Sequence, residues 1–214
     1  MNLKRWVMTR IKLCGITKPE TIEIVNELKP DYIGFVLWPK SSRYVNEQTT
    51  TELKSRLDSD IQAVGVFVDE EFETVAGLLQ RGVIDIAQLH GHEDEEYINK
   101  LKSISGKEVI RAFKIREAKD LEAAAKSSAD YILLDAGMGN GVSFDWKLLE
   151  GFDRPYILAG GLSCENAEQA VEKLHPFGVD VSSGIESNGV KDEALMRRFA
   201  EIVRKDSSGL RPSE

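Results

Sequence analysis

Cysteine is scarce in this chain, with two in 214 residues. Cys14 and Cys164 stand too far apart to form a disulfide framework or a thiolate metal cluster. Histidine is nearly as scarce, and His90, His92 and His175 show no zinc-site spacing such as HExxH. Positive charge is in deficit: 28 Lys and Arg face 36 Asp and Glu, for a net charge of −8. That balance argues against nucleic acid as a partner, and any anionic ligand would need a locally positive pocket. No apolar run approaches the ~20 residues of a membrane span, so no membrane partner is expected. The opening MNLKRWVMTR lacks the apolar stretch of a secretory signal, and a reducing cytoplasm is the expected location.

What the chain does have is alternation. Strand patterns are expected over residues 10–14, 32–37, 62–68, 83–89, 108–113, 131–134, 156–159 and 179–181. Helical patterns follow each of them. Ile22, Val25 and Leu28 mark the first and residues 49–57 the second. Phe72, Val75, Ala76 and Leu79 stripe the third at i, i+3, i+4, i+7. Residues 93–104 carry the fourth, Leu121, Ala124 and Ala125 the fifth, and residues 144–149 a short sixth. Ala167, Ala170, Val171 and Leu174 stripe the seventh, and Leu195, Phe199, Ile202 and Val203 the last.

Strand-then-helix units with short connections imply parallel strands joined by helical crossovers. Eight units in about the minimum length, roughly 200 residues, predict a single-domain α/β fold, the closed (β/α)8 TIM barrel. An open doubly wound sheet is less consistent, because no GxGxxG follows the first strand. The barrel is expected over residues 10–205, with residues 1–9 and 206–214 as terminal extensions.

In such a barrel the chemistry sits at the C-terminal ends of the strands. Strand one ends in Cys14, and strand two runs into Trp38-Pro39-Lys40-Ser41-Ser42-Arg43. Strand four ends Gln88-Leu89-His90, and strand six ends in Asp135 before Gly137-Met138-Gly139-Asn140-Gly141. Gly160-Gly161 follows strand seven, and Ser182-Ser183-Gly184 follows strand eight. Small residues in the last two loops together predict a backbone amide cradle for a phosphate ester. Either loop alone would be read as a tight turn that needs glycine.

Each polar candidate has a plainer reading beside the chemical one. Cys14 could be a small hydrophobe in a core. Arg43 suits a carboxylate or a second phosphate, or it could be a solvated surface arginine. Asp135 follows an apolar run that would raise its pKa and suit a general acid, but it could equally cap the next loop. Gln88 and His90 share an inward face by period two, as ligand contacts or as bonded polar core. Asp145 reads as a helix cap. His92 and His175 read as ordinary surface or packing residues, and Cys164 as a small hydrophobe.

The stretches KLCGIT, GFVLWPKSSRYV, VGVFV, QLHG, LLDAGMGNGVSFDW, LAGGL and DVSSGIE together resemble the phosphoribosylanthranilate isomerase family of tryptophan biosynthesis. They occur in the family's order from residue 12 to about residue 186. The resemblance implies an Amadori rearrangement of an aminoaldose into an aminoketose, with no cofactor and no metal. Carried over by motif, Cys14 would be the general base, Asp135 the general acid and Arg43 the anchor of the anthranilate carboxylate. Gly160, Gly161, Ser183 and Gly184 would line the phosphate site, while Gln88 and His90 are expected as substrate contacts from their inward strand face alone. The chain departs from the family at Ser42, where proline is common, and in its shortened Gly139-Asn140-Gly141 run. Cys164 also stands where proline is common.

A free Asp titrates near ~3.9 and a free Cys near ~8.5, so the implied roles need the first raised and the second lowered. Lys12, two residues before Cys14, is expected to face the same way and to lower the thiol, with Asp180 on the eighth strand as its partner. Other phosphosugar barrels (epimerases, lyases) and a noncatalytic phosphosugar-binding module remain alternatives. Epimerases usually want metal-binding histidines, and this rim offers only His90; the lyase wants a second carboxylate partner for Asp135. A bifunctional histidine–tryptophan barrel would need a second phosphate cradle after strand three, and Val68-Asp69-Glu70 offers none. A monomer acting on a small phosphorylated molecule is the expected state.

Overall fold

A computed structural model of the chain describes residues 8–136, 146–149 and 151–208. Eight strands close into a barrel, each parallel to the next, with the last paired back to the first. They are β1 (Arg10–Cys14), β2 (Tyr32–Val36), β3 (Gln62–Phe67), β4 (Ile86–Leu89), β5 (Val109–Lys114), β6 (Tyr131–Asp135), β7 (Tyr156–Ala159) and β8 (Gly178–Val181). The covering helices are α1 (Pro19–Leu28), α2 (Glu47–Lys54), α3 (Phe72–Gln80), α4 (Glu95–Ser105), α5 (Ala118–Lys126), α6 (Ala167–Leu174) and α7 (Glu193–Ser208). A 3-10 turn, Trp146–Leu149, stands between β6 and β7. Among the described residues no helix is long and apolar enough to cross a membrane.

Period two sorts the strand residues between two cores. Ile11, Leu13, Ile33, Phe35, Ala87, Leu89, Ile132, Leu134, Leu158 and Val179 pack outward against the helices. Tyr32, Val64, Ile86, Ile110, Ala112, Leu133, Ile157 and Ala159 fill the barrel interior together with Phe177. Every strand is covered on both faces, which is why the strands read as near-continuous apolar runs.

The N-terminal mouth is closed by a repeated device. The Ile11 amide donates to Asp31 Oδ2, the Ala63 amide to Asp85 Oδ2 and the Val109 amide to Asp130 Oδ2, each at 2.9 Å. Each aspartate stands one residue before an even-numbered strand and reaches the odd-numbered strand beside it. Lys54 and Lys102 neutralise Asp85 and Asp130 at 2.6 and 2.8 Å. In the fourth pair, Phe177 takes the place of the aspartate. Its ring turns into the barrel, stacks on Tyr131 and lies under the guanidinium of Arg10, which donates to the Tyr32 hydroxyl.

Two expected boundaries move for this kind of reason. β4 starts at Ile86 and not at residue 83, because the Asp85 side chain and amide are both spent on Ala63. α4 starts at Glu95 because Asp94 caps it by accepting from the Tyr97 amide. Glu93, expected inside that helix, is buried instead and accepts from the Asp69 and Gly91 amides and from Arg111. A hairpin that no periodicity marks, β9 (Glu186–Ser187) with β10 (Val190–Lys191), precedes α7. The helix itself runs three residues beyond the expected end at 205, to Ser208.

Candidate active site

At the C-terminal end of the barrel lies a cavity of about 380 Å³. Cys14, Gln88, His90, Asp135, Gly160, Gly161 and Ser183 all line it, as expected from the strand ends, together with Lys114, Asp180 and Ser182. Val36, Trp38, Val66, Val68 and Leu162 supply an apolar wall. Arg43 and Gly184 are not on the cavity wall. The glycine run 137–141 and Asp145 lie outside the described residues.

Cys14 closes β1, and the outward Leu13 beside it anchors the strand to the helix layer. Its register partner in β2 is Gly34. A Cβ at Gly34 would stand 2.6 Å from Cys14 Sγ and 3.1 Å from Lys12 Nζ. The missing side chain is therefore what leaves room for thiol and ammonium together. Lys12 is 1% exposed and pairs with Asp180 at 2.8 Å, the partner expected from the sequence.

The electrostatic outcome differs from the sequence expectation in sign. Burial pushes the Cys14 thiol up, and the nearby Lys12 ammonium, which pulls it down, does not cancel that effect. The net direction is upward, so the resting group is a thiol at neutral pH. Burial likewise works against the charge on Lys12, but Asp180 and Cys14 together outweigh it and hold the ammonium above its ordinary range.

Asp135 ends β6 opposite Lys114 of β5, and its Oδ2 stands 3.3 Å from His90 Nε2. His90 Nδ1 in turn faces Gln88 Nε2 at 3.4 Å. When the Gln88 amide donates, Nε2 of the ring carries the proton and donates toward Asp135. Gln88 Oε1 is buried and finds no hydrogen-bond partner among the described residues. An acceptor left so costs about 1–3 kcal/mol unless a ligand satisfies it.

Gly160 and Gly161 take φ of +91° and +71°, a conformation that side chains resist, and it turns the loop after β7 over the barrel mouth. Gly184, expected at the phosphate site, is also packed against the loop after β7. A Cβ there would stand 1.9 Å from the Leu162 carbonyl oxygen, and Gly184 forms a bridge with Ser163. It lets the loops after β7 and β8 touch backbone to backbone, which sets the spacing between them.

Arg43 lies across Gly15, where a Cβ would meet its Cδ at 2.5 Å, and so it sits next to the end of β1. Its Nε and Nη2 donate to Glu186 Oε1 and Oε2, both at 2.6 Å. Lys191 Nζ donates to the same Oε1 at 2.6 Å and to the Ser182 carbonyl at 2.9 Å. Sequence reasoning missed Lys191 and gave Glu186 no role. Cys164 is buried beside the Leu195 carbonyl, while His92 is exposed and bonded to Asp69.

The family model for N-(5′-phosphoribosyl)anthranilate isomerase matches residues 11–202. An N-(5′-phosphoribosyl)anthranilate isomerase of Clostridium acetobutylicum is 45% identical over 207 residues, covering 92% of this chain and 99% of that protein. The crystal structure of phosphoribosyl anthranilate isomerase from Thermotoga maritima superimposes with a TM-score of 0.85 at 34% identity, covering 95% of this chain and all of that one. A structure of such an isomerase with reduced 1-(o-carboxyphenylamino)-1-deoxyribulose 5-phosphate is similar at a TM-score of 0.82 and 34% identity, over 95% of this chain and all of the other.

Proposed function

The chain belongs to the N-(5′-phosphoribosyl)anthranilate isomerase family, and from that membership we propose that it converts N-(5-phosphoribosyl)anthranilate to 1-(2-carboxyphenylamino)-1-deoxyribulose 5-phosphate with Cys14 as general base and Asp135 as general acid. The observation that carries the roles is that both groups line one cavity with the Gly160, Gly161 and Ser183 loops.

Asp135 protonates the furanose ring oxygen, and the C1′–O bond breaks to leave an iminium ion. Cys14 thiolate removes the proton on C2′, the electron pair moves into the C1′–C2′ bond, and the iminium becomes an enolamine. Tautomerisation then gives the aminoketose. His90, donating toward Asp135, steadies the carboxylate once its proton has left.

The raised thiol pKa fits this order of events. A thiolate formed from a weakly acidic thiol is the stronger base. Its population grows when the cationic iminium stands beside it, because an adjacent positive charge favours the anion. Gln88 Oε1 accepts a hydrogen bond from a sugar hydroxyl, the partner it lacks in the free protein. The backbone of Gly160, Gly161 and Ser183 receives the phosphate, with Gly184 keeping the two loops in contact. Trp38 and the valines of the wall cover the anthranilate ring, and Arg43 meets its carboxylate. Residues 10–205 form the barrel domain of a monomer, which light scattering in solution checks.

Loss of anthranilate fluorescence on freshly generated substrate tests the reading. Rapid loss with the native protein, and near-complete failure with Cys14→Ser and Asp135→Asn, is the expected result. A native protein that binds the product analogue without turning over substrate would overturn it and leave a phosphosugar-binding module. Turnover of a different phosphosugar alone would leave another barrel enzyme.

A further inference from the structure

A guanidinium has two edges that can each hold a carboxylate. On Arg43 the Nε–Nη2 edge is taken by Glu186 in a two-point pair, so the Nη1–Nη2 edge remains for a ligand. Such a pair fixes the plane and direction of the remaining edge, but alone it would also cancel the arginine's charge. A second anion would then be drawn to a neutral site. Lys191 removes that objection. It shares Glu186 Oε1 with Arg43, so two cations stand against one carboxylate.

The group is enclosed. The side chains of Glu186 and Lys191 are 6% and 3% exposed, and that of Arg43 28%. The most open of the three is the one that would meet the ligand. Burial works against ionised Glu186, yet the hydrogen bonds from Arg43 and Lys191 hold its carboxyl below the ordinary range. The antiparallel pairing of β9 and β10 sets Lys191 opposite Glu186 in register. From Lys191 the chain of contacts continues to the Ser182 carbonyl, and the Ser182 hydroxyl donates to the Cys14 carbonyl at 3.1 Å. The hairpin thus ties the arginine to the loop after β8 and to the end of β1.

We propose that Glu186 and Lys191 are positioning residues for recognition of the substrate's carboxylate: Glu186 aims the free edge of Arg43, and Lys191 keeps the three-residue site net positive. This rests on the reading above that Arg43 meets that carboxylate. Neither residue touches substrate, and both act through the arginine.

The test compares two product analogues by calorimetry, reduced 1-(o-carboxyphenylamino)-1-deoxyribulose 5-phosphate and its phenylamino counterpart without the carboxylate. Inorganic phosphate serves as the reference for the loops after β7 and β8. In the native protein the carboxylate should tighten binding by about tenfold or more, as a charged hydrogen-bonded pair does. In Glu186→Gln that ratio should fall toward one while phosphate affinity stays at the native value, and in Lys191→Met, which also frees the Ser182 carbonyl, the ratio should fall by more than phosphate affinity does. Retention of the native ratio in either variant overturns the role given to that residue. Parallel loss of phosphate affinity overturns the proposal too, because the hairpin would then be general scaffolding. A native protein with no preference for the carboxylate overturns the reading of Arg43 itself, which separates that failure from this one.

Discussion

The two ends of the barrel use the same side chain, aspartate, for opposite purposes. At the N-terminal mouth Asp31, Asp85 and Asp130 each accept from a strand amide, and lysines neutralise two of them. Each is an internal fastening between neighbouring strands. At the C-terminal mouth Asp135 and Asp180 face the cavity, beside a histidine and a buried lysine respectively. The upper pair turn their oxygens to side chains at the cavity, where each lower aspartate spends one oxygen on the amide of the neighbouring strand. The proposed mechanism places chemistry at the upper rim and fastening at the lower, so a change at one should leave the other's observable nearly untouched.

The sharpest way to break that division is Asp135→Asn. On the proposed role as general acid, its removal should cost about 10²–10⁴-fold in kcat, with the denaturation midpoint close to native. A large loss of stability would show that Asp135 is a fastening like those below. Next in size is Gly184→Ala. The added methyl cannot fit 1.9 Å from the Leu162 carbonyl, so the loops after β7 and β8 must part. A displacement near 1 Å should lower kcat/KM by about 10²-fold, read against substrate concentration.

The lower rim supplies the converse. Asp85→Ala leaves the Ala63 amide without its acceptor and Lys54 without its carboxylate. Urea denaturation should show a loss of about 1.5–3 kcal/mol with turnover of the folded enzyme unchanged. The smallest effects are shifts in the pH profile. On the proposal that Cys14 thiolate is the base, kcat/KM should fall as pH drops through the Cys14 ionisation, which burial has moved upward. Removing the ammonium in Lys12→Met should move that acid limb to higher pH. Asp180→Asn removes a negative charge that disfavours thiolate, and should move the limb to lower pH. An unmoved limb in both variants would sever the buried pair from the thiol.

Much of this was legible in one dimension. Cys14, Gln88, His90 and Asp135 were found because period two and the end of an apolar run together place a side chain at the rim of a parallel barrel, and all four line the cavity. Lys12 and Asp180 followed from the same period once β8 was closed onto β1. The aspartates of the lower mouth carried a signal that was overlooked: an Asp directly before an apolar strand in Asp31-Tyr32, Asp85-Ile86 and Asp130-Tyr131. Glu186 and Lys191 carried none. A two-residue strand is too short to show a period, and the partner of Arg43 lies 143 positions away.

The amino-acid sequence alone determined the eight-unit alternation, the closed parallel architecture and which strand ends bear reactive groups. These follow from local rules, the side-chain period of strands and helices and the burial of apolar faces. Only the folded structure decided three further matters. Gly184 is packed between two loops, Arg43 is held in a two-point ion pair with Glu186, and the Cys14 thiol is raised by burial although a lysine stands beside it. All three depend on distances between groups remote in the chain, and on how much water those groups have lost. Neither quantity is written in the order of residues until the barrel has closed.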